Sequence, residues 1–193
     1  ACRMLETTLA HGQCDLSPVA HVQFVTAMSV AGTPYPQCYA QGKLAMTLAE
    51  QRPDKYFRLT IYQYFSAFYQ HWREPLEASF PYLEKGLGYG QEGINALSAG
   101  YCALLGAANK LAKGVTLDAL EHDCELGLKF LQRSQQPNTE AMLRFGVLHP
   151  VLALQGKTVA PLSFDTADAS ASGFFKGDFQ SPSIHLALYS TAM

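Results

Sequence analysis

The chain has 193 residues, with 14 Lys+Arg against 16 Asp+Glu, so its formal charge is only −2. Hydrophobic residues make up 48% and charged residues 16%, below the roughly 25% charge of an average soluble domain. That balance supplies no basic field to release counterions from nucleic acid, and no apolar run reaches the roughly 18 residues that signal a membrane span. At this length one domain is the first expectation, burying roughly 70% of the surface of the unfolded chain. The sequence starts at Ala1, already inside a helical pattern and without a signal-peptide pattern, which suggests an excised fragment.

Five cysteines, at positions 2, 14, 38, 102 and 124, form no CxxC pair. Neither zinc ligation nor a disulfide scaffold follows from that spacing. They are expected to be reduced, buried, core-like thiols, which places the protein in a reducing cytoplasm.

In chain order, residues 1–10 read as the tail of a helix, followed by helices near 17–32, 35–51, 54–71, 75–88, 92–112, 116–134 and 138–155. The joints carry helix punctuation. Asp15-Leu16-Ser17-Pro18 offers a capping side chain with proline in the first turn. Gly32-Thr33-Pro34, Arg52-Pro53-Asp54, Glu74-Pro75, Gly88 to Gly93, Gly114-Val115-Thr116 and Pro137-Asn138-Thr139 mark the other breaks. In the fourth segment Phe57, Ile61, Tyr64, Phe65 and Phe68 recur with helical period and predict a core stripe. Leu76, Phe80, Leu83 and Leu87 do the same in the next. Ile94, Leu97, Tyr101, Leu104, Leu105, Ala108 and Leu111 follow, then Leu117, Leu120, Cys124, Leu128 and Leu131. Strand alternation is sustained nowhere, so the fold class is all-α.

Taken in pairs, helices starting near 17, 54, 92 and 138 recur at intervals of about 37 to 46 residues, the range of helix-hairpin repeats. One hairpin cannot bury its apolar stripe alone. The expected architecture is an α-α superhelix of stacked antiparallel hairpins, a solenoid like that of tetratricopeptide repeats, with a closed helical bundle as the alternative. Gly42, Ala45 and Ala49 share one helical face and allow close approach of a paired helix. The helical-repeat domain is expected over 1–156, a loop or linker over 157–181, and the truncated start of a further helix over 182–193.

Several motifs dissolve on inspection. Gly88-Tyr89-Gly90-Gln91-Glu92-Gly93 matches G-x-G-x-x-G but follows a helix, where a dinucleotide site requires a strand; these glycines are read as a helix cap and turn. Gly156-Lys157-Thr158 lacks the earlier glycine of a phosphate-binding loop, since that position is Val151, and reads as a helix end. The histidines at 11, 21, 71, 122, 149 and 185 show neither HxxxH nor HExxH spacing. Glu121-His122-Asp123-Cys124-Glu125 is dense in metal-ligating types, yet adjacent helical positions point about 100° apart. An exposed acidic edge with Cys124 turned inward is expected. No catalytic, cofactor-binding or metal-binding residue is assigned. If the solenoid has a concave face, it is lined by the side of the fourth helix opposite the core stripe, Arg58, Tyr62, Ser66 and Tyr69. The matching side of the 92–112 helix adds Asn95, Ser98, Cys102 and Asn109.

His71-Trp72-Arg73-Glu74-Pro75-Leu76, together with Tyr39 to Ala45, Phe65 to Phe68, Ala99-Gly100-Tyr101 and Leu143 to Gly156, resembles a family of very large bacterial signalling proteins. The resemblance is to their tetratricopeptide-like helical region and covers about residues 17–165. In that family a serine/threonine kinase-like domain and a STAND/AAA-type ATPase precede the helical region. GAF or PAS sensor modules and a histidine kinase or diguanylate cyclase follow it. Two departures stand out: Gln91-Glu92-Gly93 replaces the family's acidic turn, and Pro150 predicts a kink in the last helix. Physically, His71 to Pro75 is read as structural cement between helices. Trp72 fills space between hairpins, Arg73 pairs across the joint, and Glu74 faces the next helix N-terminus. The resemblance implies a non-catalytic interaction or regulatory segment whose partners are neighbouring domains of the same parent chain or a signalling protein. The alternatives are a small-molecule sensor with its ligand held near Tyr62 and Tyr69, and a free-standing enzyme with a site assembled only in three dimensions.

Overall fold

The computed structural model of the chain describes residues 2–160 and 163–167. Among these residues every regular element is helical, as the patterning predicts. The rest of the 157–181 stretch and the helix expected over 182–193 lie outside the described residues. The chain divides into two compact units between Leu105 and Gly106.

The first unit holds α1 (Cys2–His11), α2 (Ser17–Val30), α3 (Tyr35–Glu50), α4 (Lys55–Phe68), two short 3₁₀ turns at Gln70–Trp72 and Leu76–Ser79, α5 (Phe80–Gln91), and the first part of α6 (Ala96–Lys113). Each of α1 to α4 packs on the next helix in the chain, and α2 also packs on α4. Nearest-neighbour packing of this kind is compatible with stacked hairpins.

The local chemistry explains the boundaries. Asp54 caps α4, its carboxylate accepting the Phe57 N–H at 3.0 Å. Proline stands in the first turn of α2, α3 and α5, where its missing N–H leaves no bond unmade. At the start of α2 it is Ser17, not Asp15, that closes the turn: its hydroxyl accepts the Cys14 N–H at 2.8 Å, while Asp15 pairs with Arg52 at 3.5 Å. Five helices end alike, with a left-handed residue at Gly32, Gly93, Gly114, Gln135 or Gly156. In each, the following N–H reaches back five residues to a carbonyl, as Ile94 does to Tyr89 and Lys157 to Leu152. The Gly88 to Gly93 joint is therefore narrower than expected. Gly88 and Gly90 lie inside α5, and only Gly93 makes the turn.

The core of the first unit corrects two predicted stripes. On α4 the buried face is Leu59, Ile61, Tyr62, Phe65 and Ser66, continued by Tyr69 just past the helix. Phe57 and Tyr64 are half-buried and Phe68 is 46% exposed. On α6 the buried positions include Ser98, Ala99 and Cys102, whereas Leu97 is exposed. Small residues explain both rotations. A Cβ on Gly42 of α3 would sit 3.1 Å from the rings of Phe65 and Tyr69, and one on Gly86 of α5 would sit 2.7 Å from the Cys102 sulfur. Where backbones come this close, only the small side of α6 fits against α5. On α4, the rings facing Gly42 are the ones that fill its space.

The second unit contains the rest of α6, α7 (Leu117–Arg133), α8 (Pro137–Leu143), a π-helical turn over Arg144–Leu148 and α9 (His149–Leu154). Four of the five predicted stripe residues of α7, Leu120, Cys124, Leu128 and Leu131, are buried, and Leu117 is half-buried. This helix packs on α8, the π turn and α9. Pro150 has no N–H for the Gly146 carbonyl, and the helix widens into the π turn directly before it. Buried His149 follows, with Nδ1 2.5 Å from the Phe164 carbonyl oxygen.

The cysteines divide. Cys38, Cys102 and Cys124 are buried, but Cys2 and Cys14 are exposed, against the expectation for all five. Cys2 opens a solvent-facing turn of α1 and Cys14 lies in the α1–α2 connection, so neither has a neighbour to cover it. The Ser17 hydroxyl and the Leu16 backbone N–H lower the Cys14 pKa, while burial pushes Cys102 and Cys124 up to about 12. Alkylation of the native protein, read by mass spectrometry, is expected to modify Cys2 and Cys14 and to spare the other three until denaturant is added. Cys14 should stay reactive below the usual thiol range. Rapid labelling of Cys102 in the native state would contradict this packing.

Candidate functional site

The side chains expected to line a concave surface are mostly interior. Tyr62, Ser66, Tyr69, Ser98 and Cys102 are buried. The Tyr69 hydroxyl lies 2.5 Å from Thr26 Oγ1 and donates to the Val22 carbonyl at 3.3 Å, which joins α4 to α2. The Lys85 ammonium covers the Tyr62 ring, 5.7 Å from its centroid. Arg58 serves the backbone, donating to the carbonyls of Ala49 and Arg52 at the end of α3, and reaches the Tyr89 hydroxyl at 3.4 Å. A ligand seated among Tyr62 and Tyr69 has no room, because protein atoms already fill that space. Asn109 is half-buried and belongs to the second unit.

The surface that α4 leaves open includes Tyr64 and Phe68, which its sequence assigned to the core, whereas Ile61 and Phe65 of the same stripe are buried. Tyr56, Thr60, Tyr64 and Phe68 recur at four-residue spacing along one side of the helix. Tyr56 is 52% exposed and Phe68 46%, while Thr60 and Tyr64 are half-buried. Two open grooves flank Tyr64. One, of about 310 Å³, is walled by Tyr56, Phe57, Thr60, Gln63 and Tyr64 of α4, by Asn95, Leu97, Ser98 and Tyr101 at α6, and by Val19 of α2. The other, of about 460 Å³, runs between Tyr64 and the end of α2, at Gln23, Thr26, Ala27 and Val30. Val30 is 86% exposed. Neither wall carries an Asp, Glu, Lys, Arg or His.

Of the residues predicted for binding, only Asn95 and Ser98 reach these grooves. Asn95 is held in place by local bonds. Its Oδ1 accepts the Ser98 N–H at 3.2 Å as the cap of α6, and its amide donates to Thr60 Oγ1 at 3.0 Å. Thr60 in turn donates to the Tyr56 carbonyl. Tyr56, Gln63, Tyr64 and Tyr101 were missed as groove residues, since Tyr64 and Tyr101 were read as core and Tyr56 and Gln63 carried no assignment. The i, i+4, i+8, i+12 spacing of Tyr56, Thr60, Tyr64 and Phe68 was the available signal.

The joint from His71 to Pro75 is organised by its carboxylate. Glu74 reaches back to α3, accepting from the Tyr39 hydroxyl, from Lys43 at 3.0 Å, and from the Gln70 amide at 2.9 Å. The carboxylate, expected to face the next helix N-terminus, makes its hydrogen bonds to α3 and Gln70, and no side chain caps the 3₁₀ turn that follows. Trp72 is 55% exposed and meets Tyr35 and His71 in tilted ring contacts, with centroids 4.5 and 4.9 Å away; it does not fill an interior space. Arg73 is exposed and takes no part in an ion pair among the described residues.

Burial pushes the Glu74 pKa up, but the Tyr39, Lys43 and Gln70 hydrogen bonds outweigh it and leave the carboxyl below its ordinary value. A depressed folded pKa means a stabilising contribution that is full above the unfolded value of 4.5 and is lost as pH falls through the folded one. Glu74→Ala is expected to cost about 1–2 kcal/mol near neutral pH. In urea melts between about pH 7 and pH 3, wild type should lose more stability than Glu74→Gln. Parallel pH profiles would show that the carboxylate does not hold the joint.

In the second unit the acidic edge of α7 is exposed apart from its paired members. Glu121 takes Lys157 at 2.6 Å and Asp123 takes Lys110 at 2.7 Å, while Cys124 points inward. Among the described residues, no group of three His, Cys, Asp or Glu side chains converges as metal ligands, and no helix is long and apolar enough to cross a membrane. The chain matches no protein-family model, no curated protein and no solved structure.

Proposed function

We propose that this chain is a non-catalytic helical-repeat interaction segment, of the kind found within multidomain signal-transduction proteins, which docks a partner polypeptide on the outer face of α4. The observation that carries the reading is the open stripe Tyr56, Thr60, Tyr64 and Phe68, flanked by two uncharged grooves. The opposite face of the same helix already supplies the core. A helix that is apolar on both sides has one side to spare for a second polypeptide. The His71 to Pro75 joint fixes the end of α4 against α3 through Glu74, so the stripe is presented on a rigid support. The parent-protein context, with its kinase-like, ATPase and sensor neighbours, rests on the sequence resemblance.

Panning a random peptide library on the chain tests the reading, with Tyr64→Asp as the counter-screen. Enriched peptides are expected to lose affinity for Tyr64→Asp by about tenfold or more, because a desolvated carboxylate has no partner in either groove. Tyr64 lies outside the core, so the melting temperature of the variant should stay within a few degrees of wild type. A library that yields no binder, or binders indifferent to Tyr64→Asp, sinks the proposal.

A further inference from the structure

The helix α1 sits on a narrow seat. Leu5 and Thr8 are its buried residues, and it packs on α2, with Thr8 Oγ1 3.4 Å from Ser17 Oγ. Ser17 and His21 stand one turn apart on the same side of α2, so His21 belongs to the side that α1 covers. The imidazole is 6% exposed, and its Nδ1 has no hydrogen-bond partner. The other sides of α2 are held differently: Tyr69 of the α4 end bonds to Val22 and Thr26, and Val25 is wholly buried. We infer that α1 is an acid-released helix, lifted off α2 when His21 takes up a proton while α2, α3 and α4 stay packed together.

The hydrogen-bond inventory of the ring makes the switch. A neutral imidazole with its proton on Nε2 leaves Nδ1 a bare acceptor, which the fold tolerates; an imidazolium carries N–H at both nitrogens. Its Nδ1–H would then be buried without an acceptor, and its charge without a counter-charge. α2 itself has no Asp, Glu, Lys or Arg. On α1, Arg3, Glu6 and His11 are exposed. On α3, Tyr39 and Lys43 are bound to Glu74, and Glu50 is exposed. On α4, Lys55 pairs with Glu92 and Arg58 serves backbone carbonyls, while the Asp15–Arg52 pair lies beyond the start of α2. The His21 pKa is accordingly lowered from 6.5, with burial as the cause. A lowered folded value means that the contribution is full above 6.5 and is lost as pH falls from there through the folded value. Lifting α1 hydrates the ring and exposes Leu5 and Thr8. Parting α2 from α3 and α4 would instead expose Val22, Val25 and Tyr69, a larger apolar loss, so the opening is local.

The test is amide hydrogen exchange of the full chain at pH 7 and pH 5, read by mass spectrometry and corrected for the intrinsic pH dependence of exchange. In wild type, exchange of the α1 amides should speed by about three- to thirtyfold at pH 5, while amides of α3 and α4 keep their protection. His21→Leu fills the same space without a titrating group and should remove the α1 response. Leu5→Ala leaves His21 in place and weakens the seat, so α1 should release at a less acidic pH than in wild type. That second variant keeps the test decisive if His21→Leu folds poorly. An α1 response equal in wild type and His21→Leu overturns the inference, as does a release pH unmoved by Leu5→Ala. Loss of protection in α1, α3 and α4 together at pH 5 also overturns it, since that is acid unfolding of the whole unit. Unchanged α1 exchange in wild type would show that the buried ring takes up its proton without moving the helix, and refutes the switch.

Discussion

Tyr69→Ala is expected to destabilise the protein by about 3–5 kcal/mol, the cost of removing a large buried ring whose site cannot collapse. The ring is 0% exposed and lies against the α carbon of Gly42, close enough that a single added methyl group there would be 3.1 Å away. Its hydroxyl is the link to Thr26 and Val22 of α2. One residue therefore ties α2 and α3 to the end of α4. Tyr69→Phe keeps the ring, and should cost only about 1 kcal/mol near neutral pH.

The same burial makes a prediction about alkaline pH. Desolvation raises the Tyr69 pKa from 10.0 to about 12, only partly offset by Thr26. The phenol is neutral when protonated, so a raised folded pKa stabilises the protein fully below about pH 10 and less as pH climbs toward 12. Two units correspond to roughly 3 kcal/mol lost across that window. Chemical denaturation at a series of pH values should show this decline in wild type and a shallower one in Tyr69→Phe. An identical alkaline slope in the two proteins would mean that Tyr69 ionises without unfolding anything.

Tyr69 also marks where sequence reasoning succeeded and where it stopped. Helix boundaries were legible because capping is local: Asp54, the first-turn prolines and Gly32, Gly93, Gly114 and Gly156 each act within a few residues. The α7 stripe was legible because most of its large apolar residues lie on one side, with Leu126 the exposed exception. On α4 that condition fails. Aromatic residues occur at 56, 57, 62, 64, 65, 68 and 69, so two faces have the period of a core, and hydrophobicity cannot choose between them. The choice is made by the partner helix. Gly42, Ala45 and Ala49 were recognised as a close-approach face of α3, and the side of α4 that meets such a face must bring rings to fill it: Phe65 and Tyr69 do. Choosing the stripe through Phe57, Ile61, Tyr64, Phe65 and Phe68 as the core placed Tyr62 and Tyr69 on the opposite face; the glycine opposite Phe65 and Tyr69 places that face in the core. The open groove follows from that reversal, which is why its walls, apart from Asn95 and Ser98, went unrecognised.

The contact between α5 and α6 offers the sharper test of this logic, since two glycines of one helix should respond in opposite directions. Gly86→Ala places a Cβ 2.7 Å from the Cys102 sulfur and 2.9 Å from Leu59 Cδ1, inside the distance that packed atoms tolerate, and is expected to cost about 2–3 kcal/mol. Gly88, two residues along the same helix, has nothing within 4 Å of the equivalent position and no left-handed backbone to preserve. Gly88→Ala should therefore stabilise the protein by about 0.5–1 kcal/mol, chiefly by narrowing the unfolded ensemble. Cys102→Ala removes the sulfur that Gly86→Ala strikes, so the double variant should recover part of the loss, a coupling of about 1 kcal/mol in a double-mutant cycle read from urea midpoints. Equal effects at the two glycines would show that helix propensity alone governs α5. Additivity at Gly86 and Cys102 would show that α5 and α6 do not meet there, and the inward rotation of α6, which turns Leu97 and Tyr101 toward the groove, would lose its cause.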